Sequence, residues 1–138
     1  MSDKAIENFD KAIEIDPKNE MALIYKGFCL LENLNKPKEA IESLNQVLEI
    51  NPKEPSALFY KGLSYKSLAK FQDALKYIDE AIKYENSDPL MWNEKGMILY
   101  DLGRKEEAKK CFQETLKIGE DVEDAKKYLE MIDNNKKS

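Results

Sequence analysis

Three glycines, Gly27, Gly62 and Gly96, stand alone in the chain at spacings of 35 and 34 residues. Lys26, Lys61 and Lys95 keep the same spacings, as do the large apolar residues Leu23, Leu58 and Trp92. A second set recurs four times: Ala5, Ala40, Ala74 and Ala108. Four residues on come Phe9, Leu44, Ile78 and Phe112; seven on, Ala12, Val47, Ala81 and Thr115; eight on, Ile13, Leu48, Ile82 and Leu116. Offsets of four, seven and eight trace one face of a helix, and self-similarity at this period is the mark of stacked helical units. Each unit therefore reads as two helices, the first built around the glycine and the second around the Ala/large/Ala stripe. A glycine inside a helix costs about 1 kcal/mol relative to alanine, so three in register need a cause. The expected cause is close helix–helix approach, with a small alanine of the second helix opposite. A phosphate-cradling loop needs clustered glycines, and these are isolated. Asp16-Pro17 and Asn51-Pro52 close second helices, whereas Pro55 and Pro89 open first helices, where the missing N–H costs nothing.

Composition limits the chemistry. The 138 residues include no histidine, so imidazole bases, histidine-activated nucleophiles and histidine metal ligands are excluded. No cofactor or metal site is expected. Charged residues make up 36% of the chain and hydrophobic ones 42%, with a net charge of -5 and a pI near 5.0. That acidity argues against a nucleic-acid surface. Cys29 and Cys111 have no CxxC spacing and read as small buried hydrophobes. No apolar run approaches the 18 or so residues of a membrane span, and the N-terminus lacks the basic and then apolar regions of a signal peptide. The expectation is a soluble cytoplasmic protein without membrane contact.

The pattern resembles the tetratricopeptide repeat, a unit of about 34 residues with the signature W-x2-L-G-x2-Y, then A-x3-F-x2-A, then P. Residues 20–54 match through Leu23, Gly27, Leu30, Ala40, Leu44, Val47 and Pro52. Residues 55–88 match through Leu58, Gly62, Tyr65, Ala74, Ile78 and Ala81, with Asn86 at the closing proline. Residues 89–119 match through Trp92, Gly96, Leu99, Ala108, Phe112 and Thr115. Residues 1–19 look like a second helix only, carrying Ala5, Phe9, Ala12 and Pro17. The resemblance implies an all-α, right-handed α-solenoid of antiparallel helix–turn–helix repeats. Two departures stand out. Lysines replace the signature leucine before each glycine, and the first repeat has one extra residue between Gly27 and Leu34, which predicts a bulge or longer turn before Pro37.

Residues 120–138 break the repeat. Val122, Ala125, Leu129 and Ile132 form a one-sided stripe against charged residues, as a solenoid end requires of a cap. The tail from Asn134 to Ser138 is expected to fray, with Lys136-Lys137 solubilising it. The N-terminal helix lacks a first-helix partner, so Phe9 is either covered otherwise or left for a second chain.

In this family the first helices line a concave groove. Opposite Leu23 and Gly27, the first helix of repeat one presents Met21, Tyr25 and Phe28, flanked by Ile24 and Leu31. Repeat two presents Ser56, Tyr60 and Leu63, flanked by Phe59 and Lys66; repeat three presents Leu90, Glu94 and Met97, flanked by Asn93 and Tyr100. An apolar patch of this kind on an open face marks a binding surface. The competing reading is that the flanking Ile24, Leu31 and Phe59 pack against neighbouring first helices. Lys26, Lys61 and Lys95 fall at the edge of the core face, where their stems pack and their ammonium groups reach water.

Co-chaperones of this family clamp the C-terminal carboxylates of heat-shock chaperones with Lys, Asn and Arg on the groove. The matching positions here are Ile24 and Phe28, then Tyr60, then Leu90 and Glu94, which argues against chaperone tails as ligands. The expectation is a non-catalytic scaffold that holds a protein or peptide partner, as an extended segment of about six to ten residues or a short helix. Self-association into a homo-oligomer through the uncovered N-terminal helix or the groove is the alternative.

Overall fold

In the computed structural model, residues 2–119 and 122–137 are described. They form eight helices: α1 (Ser2–Ile15), α2 (Glu20–Glu32), α3 (Pro37–Ile50), α4 (Pro55–Ser67), α5 (Phe71–Tyr84), α6 (Pro89–Asp101), α7 (Lys105–Ile118) and α8 (Glu123–Lys137). No strand occurs among the described residues. The chain divides into two compact units, the first ending at Tyr84 and the second beginning at Glu85.

In the first unit, α1 packs on α2, α2 on α3, α3 on α4 and α4 on α5. Ala40, Leu44 and Val47 of α3, with Ala74, Ile78 and Ala81 of α5, are fully buried. Burying the stripe is the driving force, since an isolated helix of this length is marginal in water. Ile13, Leu48 and Tyr60 pack against a cluster of Leu23, Ile24, Leu44, Val47 and Ala57. Ile6, Leu34 and Leu63 pack against Leu30, Leu31 and Ala40. One buried hydrogen bond ties α3 to α2: the Ser43 hydroxyl donates to the Leu23 carbonyl at 2.8 Å. In the second unit α6 packs on α7 and α7 on α8, with Ala108, Phe112 and Thr115 fully buried.

Each of the three repeat glycines marks a close approach, but not to an alanine side chain. A Cβ on Gly27 would lie 2.8 Å from Leu44, one on Gly62 2.7 Å from Ile78, and one on Gly96 2.7 Å from Phe112. The expected alanine partner is therefore corrected. The large residue four positions after the alanine sits over the glycine, because only a missing side chain leaves room for it. Ala74 contributes its backbone carbonyl at 3.1 Å instead.

The turn inside each helix pair is closed in one way. Tyr65 accepts from the Lys70 N–H at 2.9 Å and Leu99 from the Arg104 N–H at 2.9 Å, across Ala69 (φ 59°) and Gly103 (φ 81°). This is the six-to-one closure that ends a helix on a left-handed residue. In repeat one the left-handed residue is Asn35 (φ 51°), and Leu30 accepts from Lys36 at 2.7 Å. That bond spans one residue more than its counterparts, so the extra residue is absorbed as a longer turn before Pro37. The first helices α2, α4 and α6 are capped by side chains: Asn19 accepts from Ala22 (3.1 Å), Glu54 from Ser56 (3.3 Å) and Asp88 from Leu90 (2.9 Å).

Helix α8 caps α7 with buried Ala125 and Ile132. Tyr128, which the apolar stripe did not include, stacks on Phe112 with centroids 4.9 Å apart and meets Tyr100 edge-on at 5.1 Å. The helix runs to Lys137, past Asn134 where fraying was expected, since no glycine or proline stops it. The side chains of Lys136 and Lys137, and Ser138 altogether, lie outside the described residues, as does Met1.

Candidate partner-binding surface

Helix α2 carries apolar residues on nearly every side, and packing takes up only part of them. Met21 is 58% exposed and Tyr25 48%. Phe28 is half-buried and meets Tyr60 of α4 edge-on at 5.4 Å; Tyr60 and Leu63 are half-buried too. Lys66 lies half-buried near the end of α4. The first unit thus combines the exposed Met21 and Tyr25 with the half-buried apolar residues Phe28, Tyr60 and Leu63. In the second unit, Leu90 is 58% exposed, while Glu94, Met97 and Tyr100 of α6 are half-buried.

Four predicted lining residues are corrected. Ile24, Leu31, Phe59 and Asn93 are buried, although a projection of each helix by itself leaves them open. Ile24 and Leu31 belong to the core clusters that join α2 to α3 and α4. Asn93 donates to the Met97 sulfur at 3.5 Å, and its own side-chain oxygen is buried without a hydrogen-bond partner.

The three lysines before the glycines serve structure. Lys26 pairs with Asp10 at 2.6 Å, Lys61 stands 4.2 Å over the Tyr77 ring, and Lys95 lies 5.7 Å over Trp92. Each ammonium meets a partner on its own or an adjoining helix while the stem packs. Tyr77 in turn stacks on Tyr65 at 5.4 Å. Desolvation first, then Tyr77 and the Asp73 charge, raise the Tyr65 pKa above its ordinary value.

Sequence reasoning missed one set of exposed residues. Ile15 is 87% exposed, and Ile50 (39%) and Tyr84 (41%) share its register at the last turn of successive second helices. Their spacings of 35 and 34 match the repeat and could have found them. Both cysteines are buried. Among the described residues no group of His, Cys, Asp and Glu could hold a metal ion, and no helix is long and apolar enough to cross a membrane.

The glycine seats, the left-handed turns and the fully buried Ala/large/Ala stripe recur with the repeat, and family models for tetratricopeptide repeats match residues 2–60 and 59–123. The chain belongs to the tetratricopeptide repeat family. Its fold is the all-α solenoid class of that family, whose members are generally non-catalytic protein-interaction modules. A crystal structure of MamA superposes with a TM-score of 0.87 at 21% identity, covering 98% of this chain and 78% of that one. MamA residues 41 to the end from Desulfovibrio magneticus RS-1 gives a TM-score of 0.77 at 20% identity, covering 88% and 68%. The first tetratricopeptide domain of Spaghetti (RPAP3), bound to the HSP90 peptide SRMEEVD, gives 0.80 at 24% identity, covering 86% and 96%. At these identities the likeness concerns the fold. No curated protein sequence matches the chain.

Proposed function

We propose that this tetratricopeptide protein is a non-catalytic interaction module that holds an apolar peptide or partner helix on the open side of the first helices α2 and α4 of its first unit. The observation that carries the reading is the exposure of Met21 and Tyr25 on α2, a helix that buries Leu23 and Leu30 on its other side. Methionine and aromatic side chains suit an adaptable contact with apolar segments. The peptide bound to the RPAP3 domain ends in acidic residues. Here Ile24, Phe28, Tyr60, Leu90 and Glu94 occupy the positions that a carboxylate clamp would use, so a different ligand chemistry is favoured.

Selection from a displayed peptide library tests the reading. Apolar segments should be enriched, and their binding should be lost with Met21→Glu. Met21 lies in the first turn of α2, where an acidic side chain favours the helix dipole, so the far-UV circular dichroism should not change. Enrichment of acidic C-termini, or capture that survives Met21→Glu, would refute the proposal. Self-association is the competing outcome, and light scattering across a concentration series separates it: a strict monomer sets it aside.

A further inference from the structure

The stripe of α1 is an incomplete copy of an interface that the chain completes three times. Leu44, Ile78 and Phe112 are each wholly buried over a glycine of the preceding first helix. Phe9 is their counterpart in α1, and it is only half-buried, as are Ala5 and Ala12. The inward side of α1 is already used: Ile6 and Ile13 pack into the two clusters around α2, and Phe9 reaches Tyr25 with centroids 6.0 Å apart. What stays open is the side that a glycine-bearing first helix would cover.

The charge beside this seat differs from that of the internal copies. The residue before the stripe alanine is acidic in the complete pairs: Glu39, Asp73 and Glu107. In the first and third of these pairs the lysine before the glycine lies near it. Lys26 and Glu39 line one cavity of about 320 Å³ between α2 and α3. Glu107 is held below the ordinary carboxylate range by its hydrogen bond from Arg104 and, further, by the Lys95 ammonium. In α1 this position is Lys4, which is exposed. A helix seated there meets the opposite sign.

We propose that the open face of α1 docks a helix of another protein whose stripe reads large apolar, then an acidic residue and glycine three and four positions on, then Leu or Tyr three further. A second copy of this chain does not offer one. Its α2, α4 and α6 already seat their own second helices and carry lysine before the glycine. Its α8 has Lys126, Glu130 and Asp133 at the positions of Trp92, Gly96 and Leu99. The exposed Glu130 would be forced onto Phe9, and Asp133 is paired with Lys109 at 3.3 Å.

The test uses the full chain and fluorescein-labelled, lactam-constrained peptides with the sequence of residues 89–104, chosen because its glycine seats a phenylalanine at home. The peptide carrying Lys95→Glu should bind at one saturable site, tighter than the unaltered sequence. Adding Gly96→Leu should weaken it about tenfold or more, as overpacking of a close contact does. Lys4→Glu in the chain should reverse the Glu/Lys preference, and Phe9→Glu should abolish binding, with the Phe9 and Tyr25 ring resonances shifting only in the competent pairs. The peptide substitutions and the exposed Lys4 swap keep the test decisive even where Phe9→Glu disturbs α1. Equal binding by the glycine and leucine peptides, or an unchanged preference with Lys4→Glu, would overturn the proposal. So would dimerisation of the unmodified chain that Phe9→Glu abolishes, since it would make a second copy the occupant.

Discussion

At the scale of single residues, the repeat is written as backbone permissions. Gly27, Gly62 and Gly96 permit a contact that no Cβ allows, and at Gly96 three atoms of the Phe112 ring lie within 2.9 Å of where that Cβ would stand. Gly96→Ala gains helix propensity of about 1 kcal/mol but overpacks the ring by more, for a net loss of about 1–2 kcal/mol in urea unfolding; no loss would mean the ring can move aside. The left-handed turn positions make the converse case. Ala69 sits at φ 59°, where its Cβ is strained, while Gly103 occupies the same place without cost. Ala69→Gly should therefore stabilise the chain by about 0.5–1 kcal/mol, visible as a raised thermal midpoint. The glycines were legible from spacing alone. Their partners were not, because how far two helices slide along each other is fixed by packing, and no sequence spacing reports it.

Elements show where local pattern stops being informative. The starts of α4 and α6 at Pro55 and Pro89 follow from proline chemistry, and Asp88 caps α6 through a 2.9 Å bond to the Leu90 N–H. Asp88→Ala should cost about 1 kcal/mol of stability with little change in helix content. Burial on the first helices was only half legible. Met21, Tyr25 and Leu90 are open as a helical projection says, yet Ile24, Leu31, Phe59 and Asn93 are buried, Ile24 and Leu31 in clusters that take in residues of α1 and α4. Tyr128 illustrates the same limit in α8, since its place over Phe112 depends on how α7 receives the cap. Between α4 and α5, the Tyr65–Tyr77 stack under Lys61 carries a pH dependence. The raised Tyr65 pKa means that folding favours the neutral phenol. This stabilisation is complete below the ordinary tyrosine value of 10.0 and is lost as pH rises through the higher folded value. Denaturant midpoints should fall above about pH 10, and Tyr65→Phe should reduce that fall.

For the molecule as a whole, stability is carried by neighbour-to-neighbour burial, so protection should follow how fully each stripe is covered. Hydrogen exchange should find the amides of α1 the least protected of the second-type helices and those of α3 and α5 far slower; equal protection in α1 and α3 would contradict this. The mix of 36% charged with 42% hydrophobic residues has the same origin, because a thin core leaves much surface to solvate. The polar residues of α8 have a further effect. With Lys126, Glu130 and Asp133 where a receptive helix would carry Trp, Gly and Leu, α8 cannot take up a second helix in the same manner. Among the described helices α1 alone is therefore open to this mode of capture. A titration saturates at one helix per chain, and no concentration of a two-helix partner can crosslink such chains into a network.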